Sequence, residues 1–233
     1  MSRYSTPGPV LRKGALVQLV PDIIGAILPN IVIFQYNPEK ITHTITPWNP
    51  QEVDQAQRGA QMPTVQPFNP QETFSLALEL DATDDLEEGN RTALRHGIAD
   101  RLAALKKLTY PSEGLLGDLV RNFQAISGDV ACKVSRPTVP VILFIWGPGR
   151  ILPVRVTSFS VEETLYSPTL DPLHASVSLG LDVMTPDSFR ARGELIQGIA
   201  VAAYSYTRLV DDALAIANAI QNVHRGIGLP PFI

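Results

Sequence analysis

The sequence contains a single cysteine, Cys132, among its 233 residues. Without a second thiol the chain cannot form an internal disulfide, which excludes the small secreted scaffolds that disulfides stabilise, and it cannot supply a multi-cysteine zinc site. Charge is also scarce, because 19 Lys and Arg residues stand against 23 Asp and Glu residues, for a formal net charge of −4. This slightly acidic balance argues against nucleic-acid binding, which needs clustered Lys and Arg.

Long hydrophobic runs are missing as well. The longest strongly apolar run extends from Val139 to Trp146, contains Pro140, and is far shorter than the roughly 20 residues that span a bilayer. The first residues, MSRYSTPGPVL, have no apolar core of the signal-peptide type. We therefore expect synthesis in the cytoplasm and no insertion into a membrane. Charged residues make up only 18% of the chain, which favours a surface partly covered by partners.

Alternating apolar and polar residues predict several antiparallel strands. Thr73–Leu80 and His174–Met184 alternate without interruption, which is typical of strands with one buried face. Val139–Trp146 and Ile151–Leu165 predict a long hairpin, because the turn-forming residues Gly147–Arg150 join them. Shorter strands are predicted at Ala15–Val20, Ile31–Tyr36 and Ile41–Thr46.

A helix is predicted over Arg91–Leu108, where apolar residues recur at helical spacing on one face. These residues are Leu94, Ile98, Leu102 and Leu105. Asp84 or Asp85 is expected to supply the N-cap oxygen, and Lys106 and Lys107 suit the negative end of the helix dipole.

A longer helix is predicted from Ser188 to His224, with a broad apolar band in which alanine is frequent. Such a band needs a surface to cover it. Packing on the chain's own sheet is the default interpretation, and packing on another subunit is the alternative.

Residues 47–70 contain five prolines. Because proline fixes φ and lacks an N–H, this segment cannot be a helix interior or a central strand. We expect either an arm that reaches a neighbouring chain or a disordered surface loop, and the pattern favours neither. Residues 113–134 give only a hint of a short helix.

The predicted elements together indicate an α+β fold. We expect a barrel or sandwich of two packed antiparallel sheets, which buries the apolar faces of the strands. One helix is expected to flank the sheets, and a long C-terminal helix follows them.

Patterns typical of catalytic or metal-binding sites are lacking. The four histidines, His43, His96, His174 and His224, have no partner at helical metal-site spacing, and the acidic run 81–88 does not follow the ligand spacing of a calcium loop. We expect solvent-exposed side chains for His96 and His174. Cys132 has no His or Asn near it in sequence, so a packed thiol is the preferred interpretation. We predict a protein that is not an enzyme, with no catalytic, metal-binding or cofactor-binding residues and no cofactor.

Three stretches carry a resemblance to a known family. They are FQYNPEKI (Phe34–Ile41), LALELDATDD (Leu76–Asp85) and a long stretch from Val141 to Met184 that contains LPVRVTSFSVEETLYSPTLDPLHASVSLGL. The resemblance covers roughly residues 14–185, with the stretches in order. They resemble the tube-like baseplate proteins of contractile injection systems, the phage-tail-like particles of bacteria. Members of that family often carry a LysM domain after the tube-like part.

The resemblance implies a tail-tube fold that assembles as a homo-hexameric ring. It implies a tube initiator or adaptor that joins the baseplate spike to the hexameric inner tube. The implied partners are the spike protein, the inner tube protein and other baseplate proteins, in a particle that is assembled in the cytoplasm and released from some cells. No LysM pattern follows residue 185, so peptidoglycan binding is not carried over.

On this basis we divide the chain into an N-terminal arm (1–13), a tail-tube-like domain (14–187) and a C-terminal helical extension (188–233). Family tube protomers are usually shorter and lack a terminal helix, so the extension favours the adaptor over the inner tube protomer. A small-molecule-binding or enzymatic β-barrel is the alternative from another class. In a ring, we expect Ser176, Ser178 and Asp182 to line the channel.

Overall fold

A computed structural model describes residues 12–19, 30–47, 69–110, 141–189 and 195–224. Most of the predicted arm 1–13, most of the Pro-rich segment 47–70, the segment 113–134 and Cys132 lie outside the described residues. What was expected of these segments therefore stays a prediction.

The described residues form seven strands, four α-helices and one short 3-10 turn, which confirms the α+β class and the long C-terminal helix. The strands are β1 (Ala15–Leu19), β2 (Asn30–Ile33), β3 (Ile41–Thr46), β4 (Gln71–Asp81), β5 (Val141–Ile145), β6 (Ile151–Tyr166) and β7 (Pro172–Val183). The helices are α1 (Thr83–Glu87), α2 (Arg91–His96), α3 (Ala99–Lys107) and α4 (Leu195–His224), with the 3-10 turn at Pro186–Phe189.

All seven strands belong to one antiparallel sheet in the order β2-β1-β5-β6-β7-β4-β3. The expectation of two separate sheets is corrected to one continuous sheet, because β6 pairs with β5 over its first residues and with β7 over the rest. The sheet curls on itself: the rings of Phe74 on β4 and Phe144 on β5 lie 5.3 Å apart, although β6 and β7 separate these strands in the order.

The core lies inside the curl, where the apolar residues of the alternating strands meet. On β4, Phe74, Leu76, Leu78 and Leu80 are buried, as the alternation predicts. Each such side chain contributes about 1.5–3 kcal/mol when it is removed from water. Helix α3 covers the same face of the sheet with Leu102 and Leu105.

A β-bulge keeps the apolar side chains of β6 on the core face. The pairing with β7 moves from Val156 directly to Ser158, so Thr157 has no partner residue. The extra residue shifts the alternation by one position and returns Phe159 to the core side. Gly180 lies opposite the bulge, where a Cβ would lie 2.3 Å from the Ser158 hydroxyl oxygen, so that any larger residue would require the Ser158 side chain to turn away.

The side chain of Gln35 joins two ends of the curled sheet. Its Nε2 donates to the carbonyl oxygen of Asp81 (2.8 Å), and the Asp81 N–H donates to its Oε1 (3.0 Å). Arg101 of α3 donates to the same Oε1 (2.6 Å). Strand β2 ends at Ile33, before the predicted end at Tyr36, and Gln35 makes these bonds in the segment beyond it.

The helix predicted over Arg91–Leu108 is interrupted, and this prediction is wrong. Gly97 has a positive φ of 56° and separates α2 from α3. The N–H of Ile98 donates to the carbonyl oxygen of Pro172 at the start of β7 (2.9 Å). The chain therefore leaves the helical path in order to pack closely on the sheet.

The predicted N-cap is also different. The Asn90 side chain accepts from the N–H of Thr92 (3.0 Å) at the start of α2, whereas Asp84 and Asp85 lie in the first turn of α1. Leu94, which was predicted on the buried stripe, is exposed because the break at position 97 turns α2 away from the stripe of α3. The predicted basic residues, Lys106 and Lys107, do lie in the last turn of α3.

Helix α4 packs on the chain's own sheet with its first half. Ile196 and Ala200 are buried there, and the Thr207 hydroxyl donates to the carbonyl oxygen of Ile151 (2.8 Å). All side chains from 211 to 221 are exposed. The default interpretation is thus confirmed for the first half, and no described residue covers the second half.

Replacing Gly97 by alanine should destabilise the fold more than replacing Gly89. Both glycines have positive φ (56° and 70°), so both variants carry a backbone cost, and with a ψ of −124° Gly97 lies outside the left-handed helical region that other residues can adopt. Only at Gly97 would the new Cβ meet an obstacle, the Pro172 oxygen at 2.0 Å, while at Gly89 nothing lies within 4 Å. Urea unfolding of Gly97→Ala and Gly89→Ala measures the difference, and equal losses would contradict the close packing.

Candidate assembly interface

The outer face of four adjacent strands, β6-β7-β4-β3, carries small polar side chains in register. The pairing places Thr42, Ser75, Gly180 and Ser158 in one row across the sheet. The neighbouring row contains Ala77, Ser178 and Ser160, and the next contains Glu79, Ser176 and Glu162. We call this surface the polar face. The predicted channel residues Ser176, Ser178 and Asp182 all lie on it.

The charged residues of the polar face lie towards its two ends, and several of them pair with one another. Arg155 and Asp182 form an ion pair of 3.2 Å at one end. At the other end, the imidazole of His174 lies 3.6 Å from a carboxylate oxygen of Glu79 and, at its other nitrogen, 2.8 Å from the Thr164 hydroxyl. His174 is therefore half-buried rather than exposed as predicted. The middle of the face presents hydroxyl groups, an alanine and a glycine.

The polar face ends on both sides at a strand edge. Strand β3 is the last strand of the described sheet, so its outer edge has no partner strand in the described part of the chain. Strand β6 pairs with β5 only as far as Val154, which leaves the edge from Arg155 to Tyr166 without a described partner. Unpaired backbone groups at such edges are ready to pair with another strand.

A buried carboxylate connects α4 to the end of β4. Glu72 is 4% exposed and accepts from the guanidinium of Arg208 on α4 and from Nε2 of His43 on β3 (3.2 Å). The Arg208 Nε also donates to the Tyr204 hydroxyl (3.2 Å). The charge of Glu72 is thus compensated by Arg208, and removal of Arg208 leaves a buried carboxylate without its counter-charge.

His43 is partly exposed and lies between an aromatic ring and the charged groups of this cluster. Its ring stacks on Phe74 with centroids 4.1 Å apart. Burial lowers the pKa of His43 below its ordinary value of 6.5, and the positive charges of Arg150 and Arg208 lower it further, against a smaller opposing effect of Asp211. The neutral imidazole is therefore the form that the fold favours.

Sequence reasoning did not single out Glu72 or Arg208. Glu72 lies two residues before Phe74 and continues the buried side of the β4 alternation, so a carboxylate at this position is the signal from which a buried ion pair could have been predicted. Its partner on α4 is 136 residues away in the sequence, so no local pattern identifies it.

The turn between β6 and β7 presents apolar side chains at its tip. Leu165, Tyr166 and Leu170 are exposed there, Leu170 to 80% and with a positive φ of 66°. The Ser167 hydroxyl oxygen accepts from the N–H of Thr169 (3.2 Å) and of Asp171 (3.0 Å), which fixes the turn. A fixed, apolar tip at the end of a long hairpin is a second surface suited to contact with another chain.

Outside these surfaces, the described side chains that were considered as metal-binding or catalytic candidates have structural roles. Asp81 accepts from the N–H of Thr83 (2.7 Å), which together with the Thr83 hydroxyl lowers its pKa, and Asp85 pairs with Arg101. His96 is exposed, as predicted. In the described ranges, no three His, Cys, Asp or Glu side chains lie close enough together to hold a metal ion.

A cavity of about 310 Å³ lies between β2 and α3 and bears on the alternative of a small-molecule-binding barrel. Apolar side chains of β2 line it together with the polar side chains of Lys13, Gln35 and Arg101. Gln35 and Arg101 bond to each other and to the carbonyl oxygen of Asp81, which gives both a structural role. No helix in the described part of the chain is both long and apolar enough to cross a membrane.

The lowered pKa of His43 makes stability depend on pH. Because the unfolded chain binds this proton more readily than the folded chain, the contribution of His43 is complete above pH 6.5 and declines as the pH falls below it. His43→Gln keeps a donor for Glu72 but cannot titrate. Its unfolding free energy should fall less than that of the wild type between pH 7.5 and 5.5, as measured with urea. The exposed-site variant His96→Gln should show the same pH dependence as the wild type. If the curve of His43→Gln also runs parallel to that of the wild type, His43 is not the source of the pH dependence.

Comparison with known proteins identifies one family. No curated protein matches the chain. The family model described as "Contractile injection system tube protein" matches residues 27–192, which is well over half of the chain and includes β2 to β7 and α1 to α3. The earlier resemblance rested on stretches within these same residues. The chain belongs to the contractile injection system tube protein family.

Proposed function

We propose that the protein is a structural, non-enzymatic subunit that starts the inner tube of a contractile injection particle. In this role it joins the baseplate spike to the hexameric inner tube. The observation that carries the proposal is the polar face, which ends on both sides at strand edges without described partners.

Neighbouring copies complete each other's sheet in this proposal. Strand β3 of one copy pairs with the free edge of β6 in the next copy, so that two different edges meet at every joint. Such a head-to-tail contact closes into a ring when the rotation between copies is a whole fraction of a turn. Strand direction supports the joint, because β3 and β6 run in opposite directions in the sheet and a rotated copy presents an antiparallel partner.

The polar face then lines the channel. Its middle presents hydroxyl groups, which stay hydrated, and several of the charges near its ends are paired within the chain. A passing cargo protein therefore finds few apolar contacts and few uncompensated charges to hold it. The apolar tip of the β6–β7 turn is left to contact the next layer of the particle, where burial of Leu165, Tyr166 and Leu170 stabilises the stack.

The adaptor role is supported by the position of α4. The match to the family model ends at residue 192, and α4 begins at Leu195, so the helix is an addition to the part that the family shares. We also propose that the chain consists of an N-terminal arm (1–13), a tail-tube-like domain (14–187) and a C-terminal helical extension (188–233) that contains α4. The alternative is the inner tube protomer itself. Counting copies per particle by quantitative mass spectrometry separates the two: an adaptor supplies one ring, and a protomer supplies many.

We expect particles assembled in the cytoplasm and then released, with the chain inside them. The partners are the spike protein, the inner tube protein and other baseplate proteins. No nucleic acid and no membrane insertion is part of this role, in keeping with the net charge of −4.

The proposed joint is tested by cross-linking between copies. In a Cys132→Ser background, one thiol is introduced at Thr42 or Thr44 on β3 and a second at Ser158 or Ser160 on β6. A short bismaleimide should then give a ladder of covalent oligomers that ends at the hexamer, because the two edges meet in every joint. The matched control carries Ser75→Cys on β4 in place of the thiol on β3. Because β4 lies one strand inside the edge, this control should give markedly fewer covalent oligomers. A ladder of equal strength in the control, or no ladder from any pair, would contradict the joint.

A further inference from the structure

One row of side chains crosses the sheet between the two edges of the proposed joint, and it begins with a histidine. The strand pairing places His43, Phe74, Leu181 and Val156 in this row, from the edge of β3 to the edge of β6. Because side chains alternate along a strand, the row faces the core and not the polar face. Phe74 and Leu181 are fully buried and Val156 is partly buried, so His43 is the polar residue of an otherwise apolar row.

The His43 side chain is only partly covered in a single copy. Its ring stacks on Phe74 with centroids 4.1 Å apart, and its Nε2 lies 3.2 Å from a carboxylate oxygen of Glu72. The side chain nevertheless remains 31% exposed. Strand β3 is the last strand of the described sheet. A strand that pairs with its outer edge would bring the Cβ of a core-side residue to within about 5 Å of the Cβ of His43.

In the proposed joint, that strand is β6 of the next copy, and its core side is apolar. The joint continues the polar face from copy to copy, so the core-side residues of β6 lie beside the core-side residues of β3. Those nearest to the row of His43 are Val156, Phe159 and Val161, which are partly buried against the core of their own copy. Whichever of them lies opposite, the imidazole meets an apolar side chain.

The charged groups around His43 balance one another while its ring is neutral. Among the described residues, they are Glu72 from β4, Arg208 and Asp211 from α4, and Arg150 from the β5–β6 turn. These supply two negative and two positive charges, and Glu72 is already paired with Arg208. A proton on His43 adds an excess positive charge, which water at the exposed part of the ring can still solvate in a free copy.

We propose that protonation of His43 opposes closure of the joint between neighbouring copies, so that the ring assembles at neutral pH and is weakened in mild acid. The inference rests on the proposed function, because it needs β6 of a second copy beside β3. Closure replaces water at the imidazole by an apolar side chain, and removing a charged group from water without a new partner is costly. A protonated copy must therefore release its proton in order to join.

The direction of the pH effect follows from the pKa of His43 in the two states. In a free copy this pKa lies below its ordinary value of 6.5, because of burial and of the positive charges of Arg150 and Arg208. Further burial in the joint lowers the pKa again. The joint therefore has its full strength at neutral pH. It weakens as the pH falls below the pKa of the free copy, by up to about tenfold per pH unit.

Two variants that fix the charge at position 43 test the proposal in the full-length chain. His43→Gln keeps a donor for Glu72 and stays neutral, whereas His43→Arg keeps a planar donor group and stays charged. Sedimentation velocity at pH 7.5 and pH 5.5 gives the concentration for half-maximal ring assembly. This concentration should rise several-fold at pH 5.5 for the wild type and change little for His43→Gln. For His43→Arg it should already be several-fold higher at pH 7.5.

The exposed-site variant His96→Gln is the matched control and should show the pH dependence of the wild type. A wild type that assembles equally well at both pH values would overturn the proposal. So would a His43→Gln variant that keeps the wild-type dependence.

Proton uptake provides a second measurement, which a general loss of stability in acid does not reproduce. Dilution calorimetry near pH 6, in two buffers with different ionisation enthalpies, counts the protons that are taken up when rings dissociate. Wild-type rings should take up protons, because the freed imidazole regains a higher pKa. Rings of His43→Gln should take up markedly fewer, and equal uptake by the two would rule out His43 as the group that titrates.

The thiols on β3 and β6 distinguish failure of this inference from failure of the ring. The bismaleimide reaction is run at pH 7.5 only, because thiols react slowly in acid. If the ladder forms there and assembly does not depend on pH, the ring stands and the role of His43 is wrong. If no pair of thiols gives a ladder and the chain stays monomeric at both pH values, the ring and the role of His43 are both wrong.

Discussion

The account depends on the hydrogen-bonding demand of strand edges. A strand that borders a sheet leaves alternate N–H and C=O groups without backbone partners, and natural proteins shorten, charge or cover such edges. In this chain the edge of β6 from Arg155 to Tyr166 has no partner strand among the described residues, and it borders the polar face with its small side chains. In the proposed ring, a strand of a second copy would satisfy this edge, and the chain belongs to a family of tube proteins.

Several buried contacts keep these edges in place. Gln35 and Arg101 hold the end of β4 to the segment after β2, while Glu72 and Arg208 hold α4 to β4. Both sets use charge or amide groups that are fully bonded within one copy, so they need no partner chain. Within the described residues, the surfaces without a partner include the edges of β3 and β6, the apolar β6–β7 tip and the exposed second half of α4.

Local patterns predicted the elements better than their arrangement. The alternation in Thr73–Leu80 and His174–Met184 identified two central strands, because side chains in a strand change sides at every residue. The same alternation does not show that β6 and β7 continue from one half of the curled sheet into the other. Two packed sheets were therefore predicted where the structure has one. The break at Gly97 was missed because it depends on the carbonyl oxygen of Pro172, far away in the sequence. The polar face could be predicted in part, through Ser176, Ser178 and Asp182, whereas its free edges follow only from the strand order.

A cryo-electron microscopy map of the assembled particle tests the central claim most directly. The account predicts a ring of copies in which β3 of each copy continues into β6 of the next, with Ser160 and Ser178 facing an open channel. A map in which the copies meet through other surfaces, or in which this face lies on the outside of the tube, would contradict it.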